Sequence, residues 1–342
     1  VIGSKFTFKE FIPSGFYWTP KTNEVSLSIY SFNQIKLNHF DLLGSFRLEH
    51  LSIIPMLGEA KFSNIDKDQV RNRHFQYLAS SIGFKKHINN FEFNSWIMNS
   101  IKAPRVEELF SDGPHLGTYS YEIGEPNLKL EKIYGIETSI LYNSTPFKVS
   151  YTSFYNYSPY YFQMNKTGNC EEQFIIGQSH PCSGADFIEW GSGSAGWLYK
   201  YQVEGVESIM RGAEVSLTYQ YKNLKFIYDY SQVKGDNLLT DRPLSLINPT
   251  KEVFNIELSK GLIIYNTKFT KIHRQDRLGE FEEPTPSAFI VDFIFGYQLN
   301  QYNITLKCNN IFDSEYFNHL SKIKSIMPEA GRNISILCKF KL

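Results

Sequence analysis

The sequence predicts an all-β fold, a transmembrane antiparallel β-barrel of about fourteen strands, on three observations. Apolar and polar residues alternate with period two in segment after segment. The alternating stretches run to about ten residues, the length a tilted strand needs to cross a hydrocarbon layer. Short and long connections follow one another, which in an antiparallel meander puts all the long loops at one end. A soluble β-sandwich also alternates, but it rarely sustains strands this long between connections so unequal. The chain reads as one domain over residues 1–342.

Along the chain, tight breaks fall near Asn38 to Asp41, His87 to Asn90, Asn143 to Pro146, Tyr221 to Asn223, Lys260 to Gly261 and Leu299 to Gln301. Between them lie residues 12–22, 55–73, 101–130, 160–205, 232–249, 273–285 and 313–330, richer in Gly, Pro, Asn, Ser and charge. Five apolar rows set the pattern: Ala213, Val215, Leu217, Tyr219; then Leu224, Phe226, Tyr228, Tyr230; then Phe289, Val291, Phe293, Phe295; then Tyr302, Ile304, Leu306, Cys308; then Ile334, Ile336, Cys338, Phe340. The intervening positions are polar, and residues such as Glu137, Glu214, Lys225, Asp229, Asp292, Lys307 and Lys339 are expected to line a polar lumen. Tyr155, Tyr157, Tyr160, Tyr161 and Phe162 before the longest loop, with Tyr199 and Tyr201 after it, read as an interfacial aromatic girdle.

Composition narrows the function class. Lys+Arg and Asp+Glu both count 35 and no basic block stands out, which argues against a partner that is duplex nucleic acid. A hydrophobic content of 42% excludes disorder. No run of about 18 uncharged apolar residues occurs, so helical membrane spans are excluded while strands remain able to cross. Val1 is not an initiator Met and no signal segment is visible, so the start reads as processed or truncated. Cys170 and Cys182 share one Gly/Ser-rich loop and are expected to pair as a disulfide in an oxidising compartment, closing a ring worth about 3 kcal/mol. Cys308 and Cys338 lie on apolar rows and read as small lipid-facing hydrophobes.

Two longer motifs carry a resemblance. Ile101-Lys-Ala-Pro-Arg-Val-Glu-Glu-Leu-Phe110, followed by Tyr121-Glu-Ile-Gly-Glu-Pro-Asn-Leu128 and Glu131, resembles the R-A-P-x-x-E-E-L-F and G-N-P-x-L-x-x-E segments of TonB-dependent outer-membrane receptors. Asn309-Asn-Ile-Phe-Asp313, Tyr316 and Pro328-Glu-Ala-Gly-Arg332 are similar to the family's N-L-F-D-x-x-Y and P-x-P-G-R ending. Gly113-Pro-His115, Asn318-His-Leu-Ser321, Tyr201 to Glu214 and Glu283-Pro-Thr-Pro286 further resemble the zinc-uptake (ZnuD-like) branch. Lys102 and Leu342 depart from the family, which usually has Arg before the Ala-Pro and Phe at the end. The resemblance implies the carboxy-terminal part of a 22-stranded barrel, strands nine to twenty-two, with the plug and its TonB box absent from this chain. It implies the outer membrane of a Gram-negative bacterium as location, outer-membrane lipid and a TonB–ExbB–ExbD complex acting through the plug as partners, and active import of a scarce nutrient, a metal ion such as zinc or a metal chelate (siderophore, haem), as function.

No Gly-x-Ser-x-Gly, HExxH or Gly-rich phosphate loop occurs, so no enzyme activity and no resident cofactor are expected; an outer-membrane hydrolase and a passive porin are the alternatives. Zinc takes imidazole, thiolate and carboxylate ligands. Of the 8 histidines, which read as scattered singly, His39 and His87 fall at short turns. His115, His180, His273 and His319 fall in or beside long loops, with Glu122, Glu171 and Asp186 near in sequence. His115, His180 and His319 are the candidate substrate contacts, His115 the candidate metal ligand because of its Gly-Pro-His motif, and the Cys170–Cys182 ring would hold His180. Glu107 and Glu108 read as structural.

Overall fold

The computed structural model describes residues 1–13, 18–58, 60–169, 187–189, 197–299 and 301–340. The strands are β1 (Ile2–Phe11), β2 (Lys21–Lys36), β3 (Asp41–Met56), β4 (Arg73–Ile88), β5 (Phe91–Lys102), β6 (Asp112–His115), β7 (Ser120–Ile123), β8 (Glu131–Ser144) and β9 (Phe147–Lys166). They continue as β10 (Phe187–Glu189), β11 (Trp197–Tyr221), β12 (Leu224–Asn237), β13 (Arg242–Pro243), β14 (Lys251–Lys260), β15 (Ile263–Ile272), β16 (Ala288–Gln298), β17 (Tyr302–Asn309) and β18 (Asn333–Phe340). Four of the eighteen, β6, β7, β10 and β13, are short pieces inside long connections, which leaves fourteen long strands. The long strands form one antiparallel meander from β1 to β18, each paired with the next. Among the described residues β1 pairs only with β2 and β18 only with β17, so the sheet has two free edges.

The tight breaks lie where the alternation stops. Asn89, Lys222 and Gly261 turn their hairpins with φ of 51°, 53° and 59°, a left-handed conformation that glycine and asparagine adopt at least cost. Alternation sorts the faces. Lys268–Asp292 at 2.8 Å, Arg47–Glu49 at 2.7 Å and Ser216–Asp229 at 2.6 Å lie on one face. On the other, aromatic rings of five neighbouring strands form a diagonal row, Tyr219, Phe226, Phe254, Phe269 and Phe289, with successive centroids 6.2–6.4 Å apart. The diagonal follows from strand tilt. Lys322, after β17, reaches Met164 on the polar face of β9, so the polar face is the concave one and the aromatic row faces lipid.

The strands run further than the turn-residue density predicts: β9 has 20 residues and β11 has 25. A register shift opposite β9, between Val206 and Ser208 on β11, matches one between Lys132 and Tyr134 on β8. The extra residue is on β9, which advances three residues there against two on each neighbour. Phe162 and Tyr201, expected in the girdle, are buried at the long-loop end and are each only 9% exposed, whereas Tyr155 below the bulge faces out. Above the bulge the loops build their own apolar core, in which Ile53, Phe75, Val106, Leu109, Phe110, Leu128 and Leu198 are buried.

Candidate functional site

The segment from Ala103 to Leu130 organises the long-loop end. The helix α1 (Val106–Phe110) is a single turn, stabilised because Glu108 accepts from the Arg105 amide at 2.8 Å and from Lys102 Nζ at 2.7 Å, while Val106, Leu109 and Phe110 bury completely. This is the structural role expected of the Glu-Glu-Leu-Phe motif. Asp112, fully buried, accepts from the amides of Ser63 and Asn64 at 2.6 Å, from Ile65 at 3.0 Å and from Tyr121 Oη at 3.0 Å. Burial and the Asp112 charge push the Tyr121 phenol up to about 12, so it serves as a donor. Gly113 lets the Trp18 side chain lie against the backbone, since a Cβ there would meet it at 2.2 Å, and a Cβ on Gly124 would meet the Leu109 backbone at 2.7 Å.

These contacts hold β6 and β7 as a hairpin that delivers His115 and Glu122 to the mouth of the concave face. The half-exposed His115 places Nε2 at 3.5 Å from Glu122 Oε2. Lys322 of the last long loop donates to Glu122 Oε1 and to Met164 Sδ, and its ammonium lies 4.6 Å from the centre of the Tyr201 ring. Burial alone would raise the Glu122 carboxyl; Lys322 and, less strongly, His115 hold it below its ordinary value. Beside this pair, Lys166 sits 3.6 Å above Tyr199. Lys166, Tyr199, Tyr201, Met164, Glu283 and Lys322 line one pocket.

A second carboxylate fastens the pocket's far wall. Glu282 accepts from the amides of Leu246 at 2.9 Å and Gly279 at 3.0 Å and from Lys324 Nζ at 2.9 Å, with His319 Nε2 also at 2.9 Å. Despite burial, which would raise it, the His319, Lys324 and Gly279 contacts lower the Glu282 pKa to about 2. His319 is 2% exposed and bonds Thr285 through Nδ1 at 3.0 Å.

The sequence-predicted residues thus separate. His115 is joined to the pocket through Glu122, whose partner Lys322 lines it; His319 is locked into a loop brace rather than open to a ligand. His273, expected near the vestibule, lies on the outward face with Nε2 at 2.6 Å from Glu252, which also takes the Tyr228 hydroxyl at 2.8 Å. His180, Glu171, Asp186, Cys170 and Cys182 lie outside the described residues. Cys308 and Cys338 are free thiols on the outward rows. Among the described residues no three His, Cys, Asp or Glu side chains gather as a metal cage. His50 and His74 are not single: their rings stack at 6.4 Å about Ser52, a pairing signalled only by their register on adjacent strands. Lys166, the last residue of β9, and Lys322, in the last long loop, were missed because single lysines carry no spacing signal.

Residues 5–311 match the family described as TonB dependent receptor-like, beta-barrel. The chain belongs to this family. Its receptor β-barrels are outer-membrane proteins of Gram-negative bacteria, and the lipid-facing aromatic row accords with that location. The fold is similar to that of the copper transporter OprC, at TM-score 0.75 and 16% identity, covering 94% of this chain and 50% of that one. It is similar to the FrpB iron transporter from Neisseria meningitidis, at 0.69 and 12%, covering 99% and 51%. It is also similar to the siderophore receptor PirA from Acinetobacter baumannii, at 0.61 and 13%, covering 94% and 55%. The chain spans about half the length of these structures.

Proposed function

We propose that this TonB-dependent receptor β-barrel chain is the carboxy-terminal part of an active importer of a metal-containing nutrient, captured as an anionic metal chelate. The free edges of β1 and β18 support reading the fourteen strands as the last fourteen of a larger barrel. One observation carries the choice of chelate: the pocket stacks Lys166 over Tyr199 and Lys322 over Tyr201, and of the carboxylates around it Glu122 is paired with Lys322, Glu282 with Lys324 and Glu280 with Arg242, while Glu283 also lines it. A bare divalent cation would have to displace the half-buried Lys322 ammonium, whereas an anionic aromatic or carboxylate ligand stacks on the tyrosines and meets the lysines. Energy would come from TonB–ExbB–ExbD pulling a plug inside the polar concave face.

Import of zinc itself, by a ZnuD-like route, is the second reading, and the 3.5 Å approach of His115 to Glu122 is what favours it. Growth of cells on a ferric chelate or on limiting zinc, each with Lys166→Ala and with His115→Ala, separates the two. The chelate reading expects Lys166→Ala to cut chelate-dependent growth and His115→Ala to leave it. Loss of zinc-limited growth in His115→Ala, with chelate use untouched by Lys166→Ala, replaces it with the zinc reading.

A further inference from the structure

The outward face of β11 and β12 is apolar from the periplasmic turn upward, with Ala213, Val215, Leu217 and Tyr219 beside Leu224, Phe226, Tyr228 and Tyr230. It then changes abruptly. Arg211 and Lys234 are directly opposed in the register, both on the outward face. Like charges facing each other across a strand pair repel. Among the described residues the one carboxylate paired with Arg211 is Asp236, its Oδ2 3.7 Å from Arg211 Nη2, and its other oxygen is taken by Arg277 from the loop between β15 and β16, whose Nη1 also donates to the Gly235 carbonyl at 2.7 Å. Two guanidinium groups therefore share one carboxylate, Lys234 has no ion pair among the described residues, and the Arg211 side chain stays 57% exposed.

The height of this cluster decides what faces it. Arg211 and Lys234 each lie about ten residues above the Lys222–Asn223 turn. At ~2.3 Å of rise per tilted residue that is roughly 23 Å, the height of the apolar band of an outer-membrane barrel. The cluster thus stands at the headgroup level of the outer leaflet, with the apolar rows and Tyr155, paired with Arg211 on its other side, directly below and beside it. Guanidinium forks match phosphate oxygens, and basic groups at this level attract anionic headgroups.

We infer that Arg211, Lys234 and Arg277 form a binding site for the phosphorylated headgroup of an outer-leaflet lipid, whose acyl chains lie along the Val215, Leu217 and Tyr228 rows. The phosphate supplies the negative charge that Asp236 alone does not, and relieves the Arg211–Lys234 repulsion. The site lies on the outside of the sheet and is independent of the nutrient pocket.

The test uses the detergent-solubilised receptor, titrated with phosphatidic acid, with phosphatidylcholine of the same chains, and with inorganic phosphate, bound lipid being counted by native mass spectrometry. Phosphatidic acid should bind at least about tenfold more tightly than phosphatidylcholine, and raised salt should shrink the difference. Arg211→Gln with Lys234→Gln should abolish the preference, Arg211→Lys should keep most of it, and Lys225→Gln on the inward face should not alter it. Because the double variant removes a like-charge pair, it should fold at least as well, which heat-modifiability on gels checks. Equal binding of the two lipids, a preference that survives the double variant, or inorganic phosphate binding as tightly as phosphatidic acid each overturns the inference.

Discussion

Lys322 and Glu122, 200 residues apart in the chain, form an ion pair that ties the last long loop to the β6–β7 hairpin. Their side chains are 15% and 13% exposed, so neither charge has much water to fall back on. Replacing Lys322 with Met should leave Glu122 as an unpaired, half-desolvated carboxylate and cost roughly 3 kcal/mol locally. Hydrogen exchange should show residues 112–123 and 313–330 losing protection together. Adding Glu122→Gln should recover most of it; a variant no better than Lys322→Met would mean that charge pairing is not what joins the two loops.

The Glu282 brace makes the same end sensitive to acid. Its carboxyl titrates near 2 in the fold against an ordinary value near 4.5. A folded value below the unfolded one gives stability that is complete above about pH 4.5 and is lost as pH falls toward 2. The contribution is on the order of 3 kcal/mol. Exchange protection of residues 279–285 and 319–326 should therefore fall across that window in the wild type. In Glu282→Gln it should be low and flat with pH; a matching pH profile in the variant would assign the effect to another group.

Much of this architecture was legible in the sequence, and the reason is geometric. A lipid-facing row and a polar lumen impose period two on every strand, so the rows from Ala213 to Tyr219 and from Ile334 to Phe340 announced themselves, as did the hairpins at Asn89, Lys222 and Gly261. The upper parts of β9 and β11 did not, because they run on into the long-loop end, where loops cover them, and the slip of pairing at Ser158 to Tyr161 of β9 has no signature in the alternation. Phe162 and Tyr201 thereby look like girdle residues and act as loop core. The site was half legible. His115 follows from its motif, but His319 is closed off by Glu282 and Thr285, partners that only the folding of separate loops brings to it.

Depth along the strand should set the cost of a lipid-facing charge. Phe254 lies six residues above Lys260 and its ring stacks on Phe226 at 6.4 Å, so both stand inside the apolar band, whereas Tyr221 adjoins the Lys222–Asn223 turn at the periplasmic interface. Phe254→Lys should cost roughly 2 to 4 kcal/mol and Tyr221→Lys about 1 or less, as read from reversible folding into lipid vesicles. Equal costs would contradict the assigned membrane level.

Asp112 concentrates three backbone amides and one phenol on a single side chain. Asp112→Asn removes the charge and opposes an amide N–H₂ to donors, which should cost about 2 to 3 kcal/mol. Protease cleavage between residues 57 and 72 should rise at least several-fold. An unchanged cleavage rate would show that this loop is held by its apolar contacts alone.

The most direct test of import by an energised receptor is accumulation of a labelled ferric chelate in cells producing the intact receptor, with and without TonB. The account predicts accumulation against a gradient that needs TonB and falls when Lys166 is replaced by Ala. Equal accumulation in cells lacking TonB would contradict it and leave a passive pore.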